Sequence, residues 1–229
     1  MASIEAKLQQ VQERIALACA AAQRPVQSVT LLAVSKTFGA EAVREAWAAG
    51  QRAFGENYVH EALAKIAALA PLRPAIEWHL IGPLQSNKTR EVALAFDWVH
   101  SVDRLKVAER LSAQRPAELS PLQVCLQVNV SGEASKSGVA PAALPALAHA
   151  VAALPRLRLR GLMSIPEPAT DFAAQRAPHR VLRELFDALR REGLALDTLS
   201  MGMSADLEAA IAEGSTMVRV GTAIFGART

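Results

Sequence analysis

Short runs rich in β-branched and apolar residues alternate eight times with Ala/Leu-rich stretches of helical spacing, and no other feature of the chain restricts its fold as much. The pattern predicts strands at Thr30–Lys36, Arg52–Glu56, Ile76–Ile81, Trp98–Val102, Leu122–Val130, Leu157–Ile165, Thr198–Met201 and Met217–Gly221. Strict strand–helix alternation implies a parallel sheet of the α/β class, and eight units are what a closed (β/α)8 barrel of the TIM type requires. A doubly wound open sheet uses the same units and stands as the alternative. Ahead of the first strand, Ile4, Leu8, Val11, Ile15 and Ala18 share one stripe and predict an extra N-terminal helix.

The fifth run bears on the choice between barrel and open sheet. Leu122, Val124, Leu126, Val128 and Val130 fall on one face, and Gln123, Cys125, Gln127 and Asn129 on the other. In a barrel the apolar face packs on the helices and the polar one enters the lumen. A purely structural barrel fills its lumen with branched aliphatics, so a polar lumen points to a site near the strand ends.

The 229 residues are 51% apolar and 21% charged, enough to bury a large core. No repeat, low-complexity tract or Gly/Ser linker divides them, so residues 1–229 are expected to form a single domain. Glu5, Lys7, Glu13 and Arg14 interrupt the amino-terminal stretch, which therefore does not read as a signal peptide. The longest uncharged run, Ser137 to Pro155, is broken by Pro141 and Pro145 and reads as an amphipathic helix, not a membrane span. Cys19 and Cys125 lack any CxxC spacing, which supports neither a disulfide framework nor a zinc site. A cytoplasmic protein without a membrane partner fits these features. The net charge of +3 comes from arginines scattered along the chain, unlike the basic stripe of a nucleic-acid binder.

Several residues have the chemistry and position to build a site. Lys36 ends the first expected strand on the face of Val34 and Leu32. If that face is luminal, its partly desolvated amine can lose a proton and attack an aldehyde; otherwise it is a solvated strand-end lysine. Arg219 alternates with Met217 and Gly221 on the last strand, which a closed barrel pairs with the first. An outward arginine paired with a helix carboxylate is the other reading. The segment Ser200–Ser204 leads into a helix expected to begin near Ala205 with Ser204 as N-cap, and Gly221, Thr222 and Ala223 form the next loop. Loops after strands seven and eight are the customary phosphate site of this fold, although the same residues make ordinary strand–helix turns. Asp206 fits such a site only if it points away.

Nucleotide and metal fingerprints are missing. Gly221 to Gly226 has Walker-type spacing, but Ala227-Arg228 replaces the Lys-Ser/Thr pair, and no GxGxxG follows the first strand. The five histidines show no zinc-type pairing.

Six blocks together carry a resemblance: Ala33-Val34-Ser35-Lys36, Phe54-Gly55-Glu56-Asn57-Tyr58, the segment from Trp78 to Lys88, Gly161-Leu162-Met163, Ser200 to Ser204, and the segment from Val218 to Gly226. From about Ala33 to Arg228 the chain resembles the pyridoxal phosphate homeostasis protein family, formerly labelled proline synthetase co-transcribed proteins. The resemblance implies a barrel like the amino-terminal domain of alanine racemase. It also implies pyridoxal 5′-phosphate (PLP) held as an internal aldimine by Lys36. Arg219 would face the pyridine nitrogen, Ser204, Gly221 and Thr222 the phosphate, and Asn57, His79 and Met163 the ring. Lys136 resembles another lysine that the family uses in cofactor handling, although it also reads as a solvated loop lysine.

A PLP enzyme needs an electron sink and a base at the substrate α-carbon. Arginine only donates hydrogen bonds, so Arg219 would leave the ring nitrogen unprotonated and the sink weak. Alanine racemase works with such an arginine because a second domain brings a catalytic tyrosine. Here the sequence ends at Thr229, directly after the last expected strand, and its only tyrosine is Tyr58. The expectation is a cofactor carrier or regulator, not an enzyme, with apo-forms of PLP-dependent enzymes as partners. A PLP-dependent racemase and a cofactor-free lysine lyase acting on a phosphorylated sugar are the alternatives.

Overall fold

The computed structural model describes residues 2–132 and 137–226. Eight parallel strands close into a barrel in sequence order: β1 (Thr30–Val34), β2 (Ala53–Glu56), β3 (Glu77–Leu80), β4 (Trp98–Val102), β5 (Leu122–Gln127), β6 (Leu157–Met163), β7 (Thr198–Met203) and β8 (Met217–Val220). The seam pairs Leu32 of β1 with Arg219 of β8, so the open-sheet alternative is excluded. The extra N-terminal helix is present as α1 (Ile4–Ala21). Eight more helices follow the strands: α2 (Ala40–Ala48), α3 (Val59–Ala68), α4 (Thr89–Ala95), α5 (Leu105–Gln114), α6 (Leu144–Ala152), α7 (Phe172–Arg191), α8 (Leu207–Ala212) and α9 (Thr222–Phe225). No described helix is long and apolar enough to cross a membrane.

The two-residue strand period sorts the core into two layers. Outward side chains such as Ala33, Phe54, Trp78, Leu80, Val99, Leu122, Val124, Leu126, Leu162 and Val218 pack with the helices in one large cluster. Inward side chains make two small luminal clusters, Leu32, Val34, Ala53, Ile81 and Met217 on one side and Trp98, Cys125 and Met163 on the other. The faces expected for β5 are therefore correct, although the strand stops at Gln127 and Val128 continues only as an isolated bridge to Val139. Both cysteines are free and buried.

The lumen also holds polar groups. His79, His100, Ser200 and Arg219 are all buried within it. His79 stacks on Trp98 with ring centroids 5.3 Å apart. At the rim where the strands end, α1 packs across α8 and α9. There Arg14 donates to the Ser204 carbonyl at 3.1 Å and pairs with Glu208 at 2.8 Å, tying α1 to the β7–α8 turn.

Candidate functional site at the carboxyl ends of the strands

A cavity of about 700 Å³ opens at the carboxyl end of the barrel, the face that carries the site in this fold. Its wall includes Lys36, Asn57, Ser204, Arg219, Gly221 and Thr222, so six of the eight residues expected from the sequence meet in one place. Lys36 stands just beyond β1, two residues after Val34 on the same face, and both line the cavity.

His79 and Met163 do not line it. Both are fully buried one layer lower in the lumen. On each strand the next residue of the same face, Ile81 and Ile165, forms the wall instead. The resemblance implies a place at the ring for both; each is on the luminal face of its strand, but a period of two carries no information on depth along the barrel axis. Lys136 lies outside the described residues.

Arg219 is buried, and three of its hydrogens already have acceptors. Nη1 donates to the Ser200 carbonyl at 2.6 Å and to Ser200 Oγ at 2.9 Å, and Nη2 to the Ser164 carbonyl at 2.8 Å. A guanidinium carries five N–H groups. Nε–H and the second hydrogen of Nη2 have no acceptor among the described residues, and the side chain borders the cavity. Burial pulls its pKa down to about 10, with Asp206 opposing the shift, so it stays a cation near neutrality.

The phosphate-type corner differs from its expected form. Helix α8 begins at Leu207 with Asp206 at the N-cap position, so Ser204 is not the cap. Three turn residues separate β7 from the helix, and Ser204 lies in that turn on the cavity wall. Asp206 points away, as an anion site requires. Its Oδ1 accepts from the Met203 N–H at 2.7 Å and its Oδ2 lies 2.9 Å from His179 Nε2. Burial would raise its carboxyl, but these bonds and the charge of Arg219 hold it below its ordinary value. Opposite, Gly221 starts α9 with no room to spare, because an added Cβ would lie 3.0 Å from the Val34 carbonyl oxygen. The amides of Thr222 and Ala223, in the first turn of α9, have no intrahelical acceptor.

The strand end that carries Lys36 is held by a buried pair that the sequence did not reveal. Lys65 of α3 donates to both oxygens of Glu56, at 2.7 and 2.9 Å, and to the Ser35 carbonyl at 2.6 Å. Ser35 Oγ donates to Glu56 at 2.5 Å. Burial raises the Glu56 carboxyl, with Lys65 acting against it. Immediately after Lys36, Thr37 adopts φ +68° and donates its N–H to Glu61 at 3.0 Å. Left-handed backbone is uncommon for a β-branched residue, and here it turns the chain sharply off the rim.

Chemically, the site offers one amine, one fixed cation with unused donors, and a corner of small residues with free amides. Two buried oxygens, Asn57 Oδ1 on the cavity wall and Ser164 Oγ beside Arg219, lack any partner. Unpaired buried groups are rare unless a ligand or water satisfies them. This donor and acceptor set suits an aromatic aldehyde bearing a phosphate.

Comparison with known proteins agrees with the fold. The family model for the alanine racemase N-terminal domain matches residues 6–229. The pyridoxal phosphate homeostasis protein of Pseudomonas aeruginosa is 64% identical over 228 residues, covering 100% of this chain and 97% of that protein. The homeostasis protein of Escherichia coli is 55% identical over 229 residues, covering 100% of this chain and 98% of its own. Among solved structures, PipY of Synechococcus elongatus with PLP bound superposes with a TM-score of 0.86 at 42% identity, covering 98% of this chain and 100% of PipY. Alanine racemase of Corynebacterium glutamicum shares the fold at 18% identity, with a TM-score of 0.66 over 87% of this chain and 56% of its own.

Proposed function

Since the chain belongs to the alanine racemase N-terminal domain family and, within it, to the pyridoxal phosphate homeostasis proteins, we propose that it binds PLP in the rim cavity and holds it for other proteins without turning over a substrate. The observation that carries this reading is the meeting of Lys36 and Arg219 across the barrel seam, in a cavity whose remaining polar wall suits a phosphate. Bound PLP supplies an aldehyde that an amine can attack and a conjugated ring.

In this reading Lys36, part of the cavity wall, would hold the cofactor through its amine. The two unused N–H groups of Arg219 would hold the ring nitrogen, Asn57 would border the ring, and Ser204, Gly221 and Thr222 would hold the phosphate. His79 and Met163 support the floor from the layer below.

The wall argues against racemisation. Exchange at an α-carbon needs a proton donor on each face of the substrate. Among the described wall residues Lys36 is the single group suited to that task, because Arg219 retains its proton and Ser204, Thr222 and Asn57 do not ionise near neutrality. Tyr58, before α3, is half exposed and is not on the wall. Apo-forms of PLP-dependent enzymes are the natural recipients of a cofactor held this way.

Borohydride reduction of PLP-loaded protein, followed by peptide mapping, should place the pyridoxyl group on Lys36, and Lys36→Ala should fold but remain colourless. A label mainly on another lysine would refute the site assignment. Transfer of bound PLP to an apo-enzyme, together with chiral analysis of alanine incubated with the protein, tests the carrier role. Efficient racemisation abolished by Lys36→Ala would overturn it.

A further inference from the structure

Arg219 is one end of a hydrogen-bonded chain that crosses the barrel lumen. Ser200 Oγ, which accepts from Arg219, lies 2.8 Å from His100 Nδ1, and His100 Nε2 lies 2.9 Å from His79 Nδ1. His79 Nε2 ends the chain, 2.8 Å from Oε1 of Glu77. Glu77 is half exposed at the opposite rim, on a basin it shares with Arg52, Arg73, Arg158 and Arg160.

With both rings neutral, the two ends set the direction of every bond between them. A guanidinium only donates and a carboxylate only accepts. Glu77 is such a carboxylate, because the hydrogen bond from His79 outweighs burial and holds it below its ordinary value. Each inner group then donates once and accepts once. Arg219 donates to Ser200, the Ser200 hydroxyl to His100 Nδ1, His100 Nε2–H to His79 Nδ1, and His79 Nε2–H to Glu77. In that arrangement each imidazole carries its proton on Nε2. A second proton on His79 would reverse His100, leave the Ser200 hydroxyl between two donors and add a cation to a lumen that already holds Arg219.

The surroundings favour the neutral arrangement. Burial first, then the repulsion that a proton on His79 would exert and the charge of Arg219, push His100 well below its ordinary value, so the two rings are not charged together. Trp98 stacks on His79, and burial raises the nearby Cys125 thiol to about 12, so neither adds charge. Arg160 lies over Trp98 and is paired with Asp197, and Asp206 acts on Arg219 from the β7–α8 turn.

We propose that Ser200, His100, His79 and Glu77 are positioning residues, a one-way chain that keeps Nε–H and one Nη2–H of Arg219 free for the cavity and passes changes at those hydrogens across the barrel. The link to a cofactor rests on the reading that PLP lies against Arg219; the bond order does not.

Histidine ring ¹⁵N NMR of the full chain, with and without PLP, tests the proposal. Without PLP at neutral pH, His79 and His100 should each carry one proton, on Nε2. PLP should shift both sets of signals although neither ring lines the cavity. In Ser200→Ala and in His100→Phe the His79 signals should no longer move, while visible absorbance still reports bound PLP. Two cuts are made so that if one variant fails to fold the other decides. An Nδ1–H or doubly protonated ring in the wild type, or a His79 response that survives the cuts, would overturn the chain. If PLP loads and neither ring responds, the coupling is refuted while the cofactor reading stands. If PLP does not load, the cofactor reading fails and the tautomers still decide the bond order.

Discussion

Ser204 separates a structural role from a binding role within one side chain. The sequence makes it a helix cap, and losing a cap costs about 1 kcal/mol. In the fold Ser204 makes no such bond and the helix starts three residues later. Ser204→Ala should therefore leave the melting temperature unchanged while PLP affinity falls about two- to tenfold, the value of one neutral hydrogen bond. A melting shift with unchanged affinity would return Ser204 to the cap. At this scale the site was legible wherever strand alternation could be extended to the rim, as for Lys36 and Arg219. For His79 and Met163, which the resemblance placed at the ring, strand alternation could not have shown that they lie below the cavity, because a period of two fixes the side of a strand and not the height on it. Asp206 shows the same limit in another form, since the bond from Met203 that turns it away depends on a loop conformation no spacing encodes.

Among the elements, α3 has a task its sequence conceals. Lys65 lies on a helix that packs outside the barrel, where a lysine normally faces solvent. Instead it is buried against Glu56 and spans β2, α3 and the end of β1. Lys65→Met should destabilise the protein by about 3–5 kcal/mol in urea unfolding, because an uncompensated carboxylate stays in the core. The double variant Lys65→Met/Glu56→Leu should recover much of that loss; no recovery would mean that the pair does more than neutralise itself. Strand positions, by contrast, were readable to within about two residues at most ends, since outward-facing apolar side chains mark every strand whatever lies in the lumen. Where β5 was drawn too long, the alternation continues through Val128 and Val130 after the ladder has stopped.

For the whole molecule, several carboxyls are held down by partners that exist only in the fold. Glu213, buried after α8, would be raised by burial, but hydrogen bonds from Arg180 and Arg176 and the charge of Arg183, all from α7, lower it. Asp197 behaves similarly beside Arg160, and Asp206 beside His179. For acids depressed in the native state, the unfolded chain binds more protons as pH falls, so their stabilisation is present above the ordinary carboxylate range and lost through the depressed values. Urea midpoints should accordingly fall steeply below about pH 4.3, the ordinary glutamate value. The Arg176→Gln variant should show a shallower acid limb, and an identical limb would clear Glu213 of that role. The seam between β1 and β8 has a kinetic consequence as well. Lys36 follows the first strand and Arg219 lies on the last, so the two meet only after the ends of the sheet have found each other. Contacts this distant in sequence form late, after the entropy of closing a long loop has been overcome. If the cofactor is held as proposed, a nascent chain should not capture it before β8 has been made and docked. On that reading bound PLP would latch the two ends of the sheet together, and stopped-flow unfolding should be slower with PLP than without it; equal rates would count against the latch.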